Sequence, residues 1–390
     1  MGKSRSEAWK IVLPLTLLLV CLVLTGCWDR REIEDIGMVV GMALDKGKQN
    51  NEIVMTTQFV NTIVGVKDIS TVHNFYNVTT SGRTLMDTIK EIASKTDRAP
   101  YFTHMKVILI SDEVAKAYDM YELTNLLMRD HEVRRTVQVL IVKGKAVDLL
   151  EVSTRKKEIP SLEIWSMTGN DYKTVRMPHV VTLGDISIHL SQDSSFGLQK
   201  IEREKDGLRL TGIALINGKT KRLQDGFIDK VDPLAGMAWL MLHGMGSSGG
   251  VVSVDDPSTK KPILFEMRNL KRKVSATKQA GKIVFHVQLI FEGKLGEDWN
   301  YPGNAFSDAY LHEKAHMFES KIKQQAQQAL TLLQKKYKMD VLGFYSVYRV
   351  SHYKEWKRIK KEWDRAFSKS EVKLSVQVFI RDYGSAGRKI

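Results

Sequence analysis

Three groups of residues have the types and spacing of reactive sites. His312-Glu313-Lys314-Ala315-His316 sets two histidines one helical turn apart, with a glutamate between them. On a helix this spacing lets both imidazoles meet one zinc ion while the glutamate activates a water. A zinc site needs a further ligand. Ile322 stands six residues beyond the second histidine, and no Asp or Glu occurs between Glu319 and Asp340. Glu319 lies one turn on, which is not the usual layout, and the pair flanks an apolar stripe instead of facing a cleft. No metal and no cofactor is therefore expected. Gly244-Met245-Gly246-Ser247-Ser248-Gly249 matches G-x-G-x-x-G. A dinucleotide fingerprint must follow a strand and open a helix. Here an apolar run at Leu234–Leu242 reads as a buried helix and Val251–Val254 as a strand, so Gly244 reads as a helix stop. Ser191, Ser194, Gly197 and Gly246 make no triad without a placed His and carboxylate. The third group is the thiols, Cys21 and Cys27.

Lys3, Arg5 and Lys10 precede an apolar run, Ile11–Leu24, broken by Pro14 and Thr16. The run is shorter than the about 20 residues of a membrane-spanning helix and fits a signal peptide. It ends in Leu24-Thr25-Gly26-Cys27, which resembles a bacterial lipobox. Small residues let the backbone lie extended in a peptidase groove, and the Cys27 sulfur takes up the diacylglyceryl group. Cleavage before Cys27 makes it the mature N-terminus. Each buried lipid methylene adds roughly 0.8 kcal/mol, and two chains anchor stably where one does not. With residues 1–26 removed, Cys27 is the last thiol, so no internal disulfide forms and the fold rests on burial.

These residues sit among elements of both kinds. Ile36–Leu44, Glu52–Val60, Asn74–Thr80, Lys106–Ile110 and Thr136–Val142 read as strands. Thr84–Lys95, a helix capped by Ser111 and running through Leu127, and Ala146–Val152 read as helices. The charged run Lys200–Gly207 reads as a domain boundary. Beyond it come strands at Leu208–Ile216 and Ile263–Met267, a hairpin of Val274–Thr277 with Lys282–Phe291 around Ala280-Gly281, and a strand at Gly343–Val350. The longest helix is Ser307–Tyr337, with Leu311, Ala315, Phe318, Ile322, Ala326, Ala329, Leu333 and Tyr337 on one face. A helix at Tyr353–Phe367 sets Trp356, Ile359, Trp363 and Phe367 against Lys354, Lys357, Arg358, Lys360 and Lys361. This basic side reads either as a solvated face or as a surface for anionic lipid or an acidic partner. Glu371–Asp382 closes the chain with alternating apolar residues. The fold class is α+β, multidomain, with mixed sheets and packed helices on an N-terminal lipid anchor. The expected domains are 27–200, 201–268 and 269–390.

The chain has 390 residues, 43% of them hydrophobic and 27% charged, with a formal net charge of +14. This is a globular composition of two or three domains. A basic surface favours polyanions, but an exported address argues against nucleic acid.

Cys27-Trp28-Asp29-Arg30-Arg31-Glu32-Ile33-Glu34-Asp35-Ile36-Gly37 resembles the mature start of the Ger(x)C lipoproteins, the C subunits of bacterial spore germinant receptors. Arg129-Asp130-His131-Glu132-Val133-Arg134 resembles that family's R-D-x-E-x-R patch. Asp340-Val341-Leu342-Gly343-Phe344 resembles its D-x-x-G-F segment, there the opening of a strand, and Trp356, Trp363 and Phe367 resemble its closing part. The resemblance implies three mixed α/β domains and a non-enzymatic subunit without a metal site. It further implies integral membrane A and B subunits as partners, a place on the outer face of the spore inner membrane, and a part in the germination response to nutrients. Arg129, Asp130, Glu132, Arg134 and Arg135 are then the candidate partner-binding residues. Two readings stay open: they pair with one another and fix a helix end, or they meet a charged loop of a membrane subunit.

Overall fold

Val107–Ser111 (VILIS) and Gln138–Val142 (QVLIV) are apolar without alternation, and every residue in both is buried. Strands covered on both faces have this pattern. In the computed structural model they are β5 and β6 of a nine-stranded mixed sheet. The structure describes residues 36–61, 74–152, 159–170, 179–205, 207–229, 250–300 and 304–382, with Trp9, Pro14 and Thr16. Apart from those three residues, the leader with Cys27, the expected Leu234–Leu242 helix and the Gly244–Gly249 loop lie outside the described residues.

The first sheet contains β1 (Ile36–Lys46), β2 (Ile53–Val60), β3 (Phe75–Gly82), β4 (Ala99–Tyr101), β5, β6, β7 (Phe196–Glu204), β8 (Gly207–Ile216) and β9 (Leu223–Asp229). The order is β3-β2-β1-β5-β6-β7-β8-β9, with β4 on β1. The centre, β1-β5-β6-β7, is parallel, and antiparallel pairs flank it. Alternate residues serve two cores. Ile108, Ile110, Val139 and Ile141 meet α1 (Leu85–Ile92), α2 (Asp112–Ala117), α3 (Met120–Arg129) and α6 (Leu183–Gln192). Val107, Leu109, Leu140 and Val142 meet α4 (Val147–Leu150) and α5 (Pro160–Thr168). The helix expected through Leu127 is divided in two. Tyr118 leaves the helical conformation, and Asp119 opens α3 with a capping box to Glu122.

The second sheet runs β10 (Val251–Asp255), β11 (Pro262–Gln279), β12 (Lys282–Asp298), β13 (Glu371–Asp382). The expected pieces Ile263–Met267 and Val274–Thr277 are one strand, β11, carried through a register shift between Met267 and Asn269. Ala280 (φ 46°) and Gly281 (φ 80°) make the tight turn to β12. This is the left-handed pair that a two-residue hairpin requires. α7 (Asp308–Thr331) continues through a π-type turn, Leu332–Tyr337, and lies on the sheet with α8 (Phe344–Ser351), α9 (Tyr353–Ile359) and α10 (Trp363–Lys369). Phe265 packs on Phe318 at 5.4 Å and Phe285 on Phe344 at 4.6 Å between ring centroids.

Two further expectations need correction. Gly343–Val350 is a helix, not a strand, for a reason given below. Tyr353–Phe367 is not continuous: a 3-10 turn at Lys360–Glu362 separates α9 from α10. The segment 201–268 is shared between the sheets, since 207–229 complete the first and 251–268 begin the second. The chain divides into two compact units, Met1–Ile36 and Gly37–Ile390. The buried apolar core of the described residues begins at Val39, within the larger unit.

Candidate functional site

Asp340 is buried, and its carboxylate accepts four N–H groups: Leu342 N at 3.1 Å, Phe344 N at 3.2 Å, Tyr345 N at 2.7 Å and Trp363 Nε1 at 2.8 Å. Three of these are backbone donors at the start of α8, which a helix cannot satisfy internally. Gly343, at φ 71°, turns the chain so that they converge. This cap makes Phe344–Ser351 helical despite its aromatic and β-branched residues. Burial pushes the Asp340 carboxyl up to about 6, although the donors pull against it. Asp364 accepts Asp340 N at 3.0 Å and the Ser195 hydroxyl at 3.1 Å, and Ser195 Oγ accepts Gly218 N at 2.9 Å. The Tyr345 hydroxyl donates to Gln192 Oε1 at 2.5 Å. Side chains of α8 and α10 are thus tied to the loops after α6 and β8.

Beside these ties lies a cleft of about 520 Å³, whose lining includes Lys219, Arg349, Trp356, Lys360 and Lys361. No residue lining it is a histidine. His189 Nδ1 does meet Ser194 Oγ at 2.9 Å, but this contact closes the last turn of α6, where Ser194 N also donates to His189 O. Burial lowers the His189 pKa, and the Asp185 carboxylate is engaged by the Thr182 amide and hydroxyl. This is a helix terminus, not an assembled triad.

The charged patch lies at the end of α3. Asp130 Oδ1 accepts Glu132 N at 2.8 Å, and Asp130 N donates to Leu126 O, so the aspartate shapes the turn out of the helix. Val133 is buried. Arg129, Arg134 and Arg135 are exposed, and none pairs with a carboxylate of the described residues. Mutual pairing of the arginines with Asp130 and Glu132 does not occur among the described residues. Arg134 and Arg135 contribute through their carbonyls, which accept Val137 N and Gly184 N.

The histidine pair stands on the outside of α7. His312 and His316 are exposed, and His316 Nδ1 lies 2.8 Å from Glu319 Oε2. The other Glu319 oxygen accepts Val378 N at 3.0 Å, on the edge of β13. Glu319 thereby caps a sheet edge. The residue turned inward is Lys314, 2% exposed, whose Nζ lies 2.7 Å from Asp256 Oδ2 and 2.8 Å from Glu313 Oε1. It also stands 4.8 Å from the Tyr310 ring centroid. The Lys314 ammonium, then the Ser258 hydroxyl, hold the Asp256 carboxyl well below the usual carboxylate range. Lys314 and Asp256 belong to no motif that singles them out in the sequence. The available signal was a lysine within the apolar stripe, next to Ala315.

Residues 29–203 match a family model described as spore germination protein N-terminal domain. Residues 211–384 match one described as spore germination B3/GerAC like, C-terminal. Spore germination protein YndF of Bacillus subtilis (strain 168) is 30% identical over 393 residues, covering 95% of each chain. This chain belongs to the Ger(x)C family of spore germination proteins. Two further B. subtilis relatives of this Ger(x)C chain are spore germination protein B3, 28% identical over 95% of this chain and 98% of its own, and spore germination protein A3, 29% identical over 96% and 98%. The crystal structure of the GerBC protein has the same fold, with a TM-score of 0.59 at 24% identity, over 87% of this chain and 97% of that one. In the Ger(x)C chain described here, the two matched regions meet at the hairpin of β7 and β8, beside the Lys200–Gly207 boundary read from the sequence. No helix among the described residues is long and apolar enough to cross a membrane.

Proposed function

We propose that this Ger(x)C protein is a lipid-anchored, non-enzymatic subunit of a germinant receptor complex. It is held through a diacylglyceryl group on Cys27 at the outer face of the spore inner membrane. There it joins integral A and B subunits, and the germination response to nutrients requires it. The observation that carries this reading is Leu24-Thr25-Gly26-Cys27 behind a basic, apolar leader, with the family match starting at residue 29. The non-enzymatic part is supported by the cleft, whose Ser195 and Asp364 side chains are engaged in tying loops together.

Arg129, Asp130, Glu132, Arg134 and Arg135 are the proposed contact with a membrane subunit. Exposed guanidinium groups suit bidentate pairing with carboxylates of a partner. Mass spectrometry of the protein from spore membranes tests the anchor: a diacylated Cys27 N-terminus is expected, with an unprocessed precursor for Cys27→Ala. A cleaved, lipid-free N-terminus in the unaltered protein contradicts it.

A further inference from the structure

α9 has no buried residue. It lies between α8 and α10, each of which packs Phe344 or Phe367 into the core. Its sequence is not that of a merely solvated connection. Lys354, Lys357, Arg358 and Lys361 recur at steps of three and four, which places them along one side of the segment 353–361. All four are exposed, and none is in an ion pair with a described residue. The carboxylates in this stretch are engaged elsewhere, Glu355 by Lys278 at 2.6 Å and Glu362 by Lys219 at 3.4 Å. The cations therefore stand without local compensation. Beside them are two exposed apolar groups, Val350 (81%) and Tyr353 (53%), and Lys357 Nζ lies 4.9 Å from the Tyr353 ring centroid.

We infer that Val350–Lys361 is a membrane-surface contact that takes anionic phospholipid headgroups, separate from the N-terminal anchor. Unpaired cations in a row beside an exposed aromatic and an aliphatic side chain match what an interfacial surface offers. The charges meet phosphates, and Tyr353 and Val350 enter the headgroup layer. An acidic protein would satisfy the cations but would not account for a bare valine at the rim. The inference rests on the proposed membrane location, and it assigns a second point of contact that orients the folded unit on the bilayer.

The test uses the chain from Trp28 onward, because the described core lies wholly within Gly37–Ile390. Co-sedimentation is measured with vesicles of phosphatidylcholine alone and with added phosphatidylglycerol. Binding to the anionic vesicles only is expected, weakening with salt. Each cation near an anionic leaflet contributes about fivefold to partitioning. Changing Lys354, Lys357, Arg358 and Lys361 together to Ala should therefore lower binding on the order of a hundredfold or more, with melting unchanged. Matched removal of Lys261, Lys271, Lys273 and Lys282, four exposed cations on or next to β11 and β12, controls for net charge and should retain most of the binding. Equal binding by the first variant, or the same loss in the control, overturns the inference. So does absence of vesicle binding by the parent, which would favour an acidic protein partner. Because Cys27 is absent from this chain, a failed anchor and a failed surface contact give separate results.

Discussion

Two segments that carry the family resemblance end up in opposite environments. In Asp340–Phe344 the carboxylate is buried under four N–H donors and joins α8 to α10, while Asp364, which accepts Asp340 N, holds the loop at Ser195. In Arg129–Arg135 the aspartate shapes a turn while the three guanidinium groups point outward without described carboxylate partners. The same division occurs inside His312–His316, where Lys314 is buried and both histidines are exposed. Residue type alone does not separate a structural charge from one available to a partner. What separates them is whether the polar atoms are already satisfied within the fold.

If this division is right, inward residues should control stability and outward ones should not. The largest effect is expected for Lys314→Ala. It leaves the Asp256 carboxylate buried without its cation, a loss of roughly 3–5 kcal/mol. Denaturant unfolding of the chain from Trp28 onward measures it, and a near-neutral result would place Lys314 among the surface residues. Asp340→Asn should cost roughly 2–4 kcal/mol. An amide nitrogen there faces N–H donors, leaving at least one buried donor unsatisfied.

The two buried carboxylates also differ in pH response. The Asp340 pKa is raised to about 6, so the native state holds its proton more firmly than the unfolded chain does. Its contribution to stability is present below the unfolded value of about 3.9 and is lost as pH rises through about 6. The stability gap between the parent and Asp340→Asn should therefore narrow between about pH 4 and pH 7. Asp256 behaves oppositely. Its lowered pKa contributes stability above the unfolded value, and that contribution is lost on acidification. Unfolding curves across this range decide the sign, and a widening gap for Asp340→Asn would refute the assignment.

His312→Ala with His316→Ala should cost less than about 1 kcal/mol, as for exposed helix positions, and leave germination unaltered. Loss of germination together with loss of bound zinc would restore the metal reading.

Much of the scaffold was legible because periodicity records burial. Glu371–Asp382 has the observed bounds of β13, and the stripe from Ala315 to Tyr337 faces the second sheet as its spacing requires. The misread elements were those governed by distant side chains. Phe344–Ser351 contains Val347, Tyr348 and Val350, which suggest a strand. The helix follows from a cap supplied by Asp340 and held by Trp363. The cleft was illegible for the same reason, since its lining comes from residues 191–195, 219 and 345–364, far apart in the chain.

The smallest expected effect on stability, and the largest on assembly, belongs to Arg134. It is exposed and lacks a described carboxylate partner, so Arg134→Glu should melt within about 0.5 kcal/mol of the parent. The most direct measurement is affinity purification of a tagged copy from detergent-solubilised spore inner membranes, with its companions identified by mass spectrometry. Integral A and B subunits are expected to co-purify with the parent chain and to be lost with Arg134→Glu in a protein that melts normally. Recovery of the parent chain without membrane subunits, or an intact complex with Arg134→Glu, would contradict it.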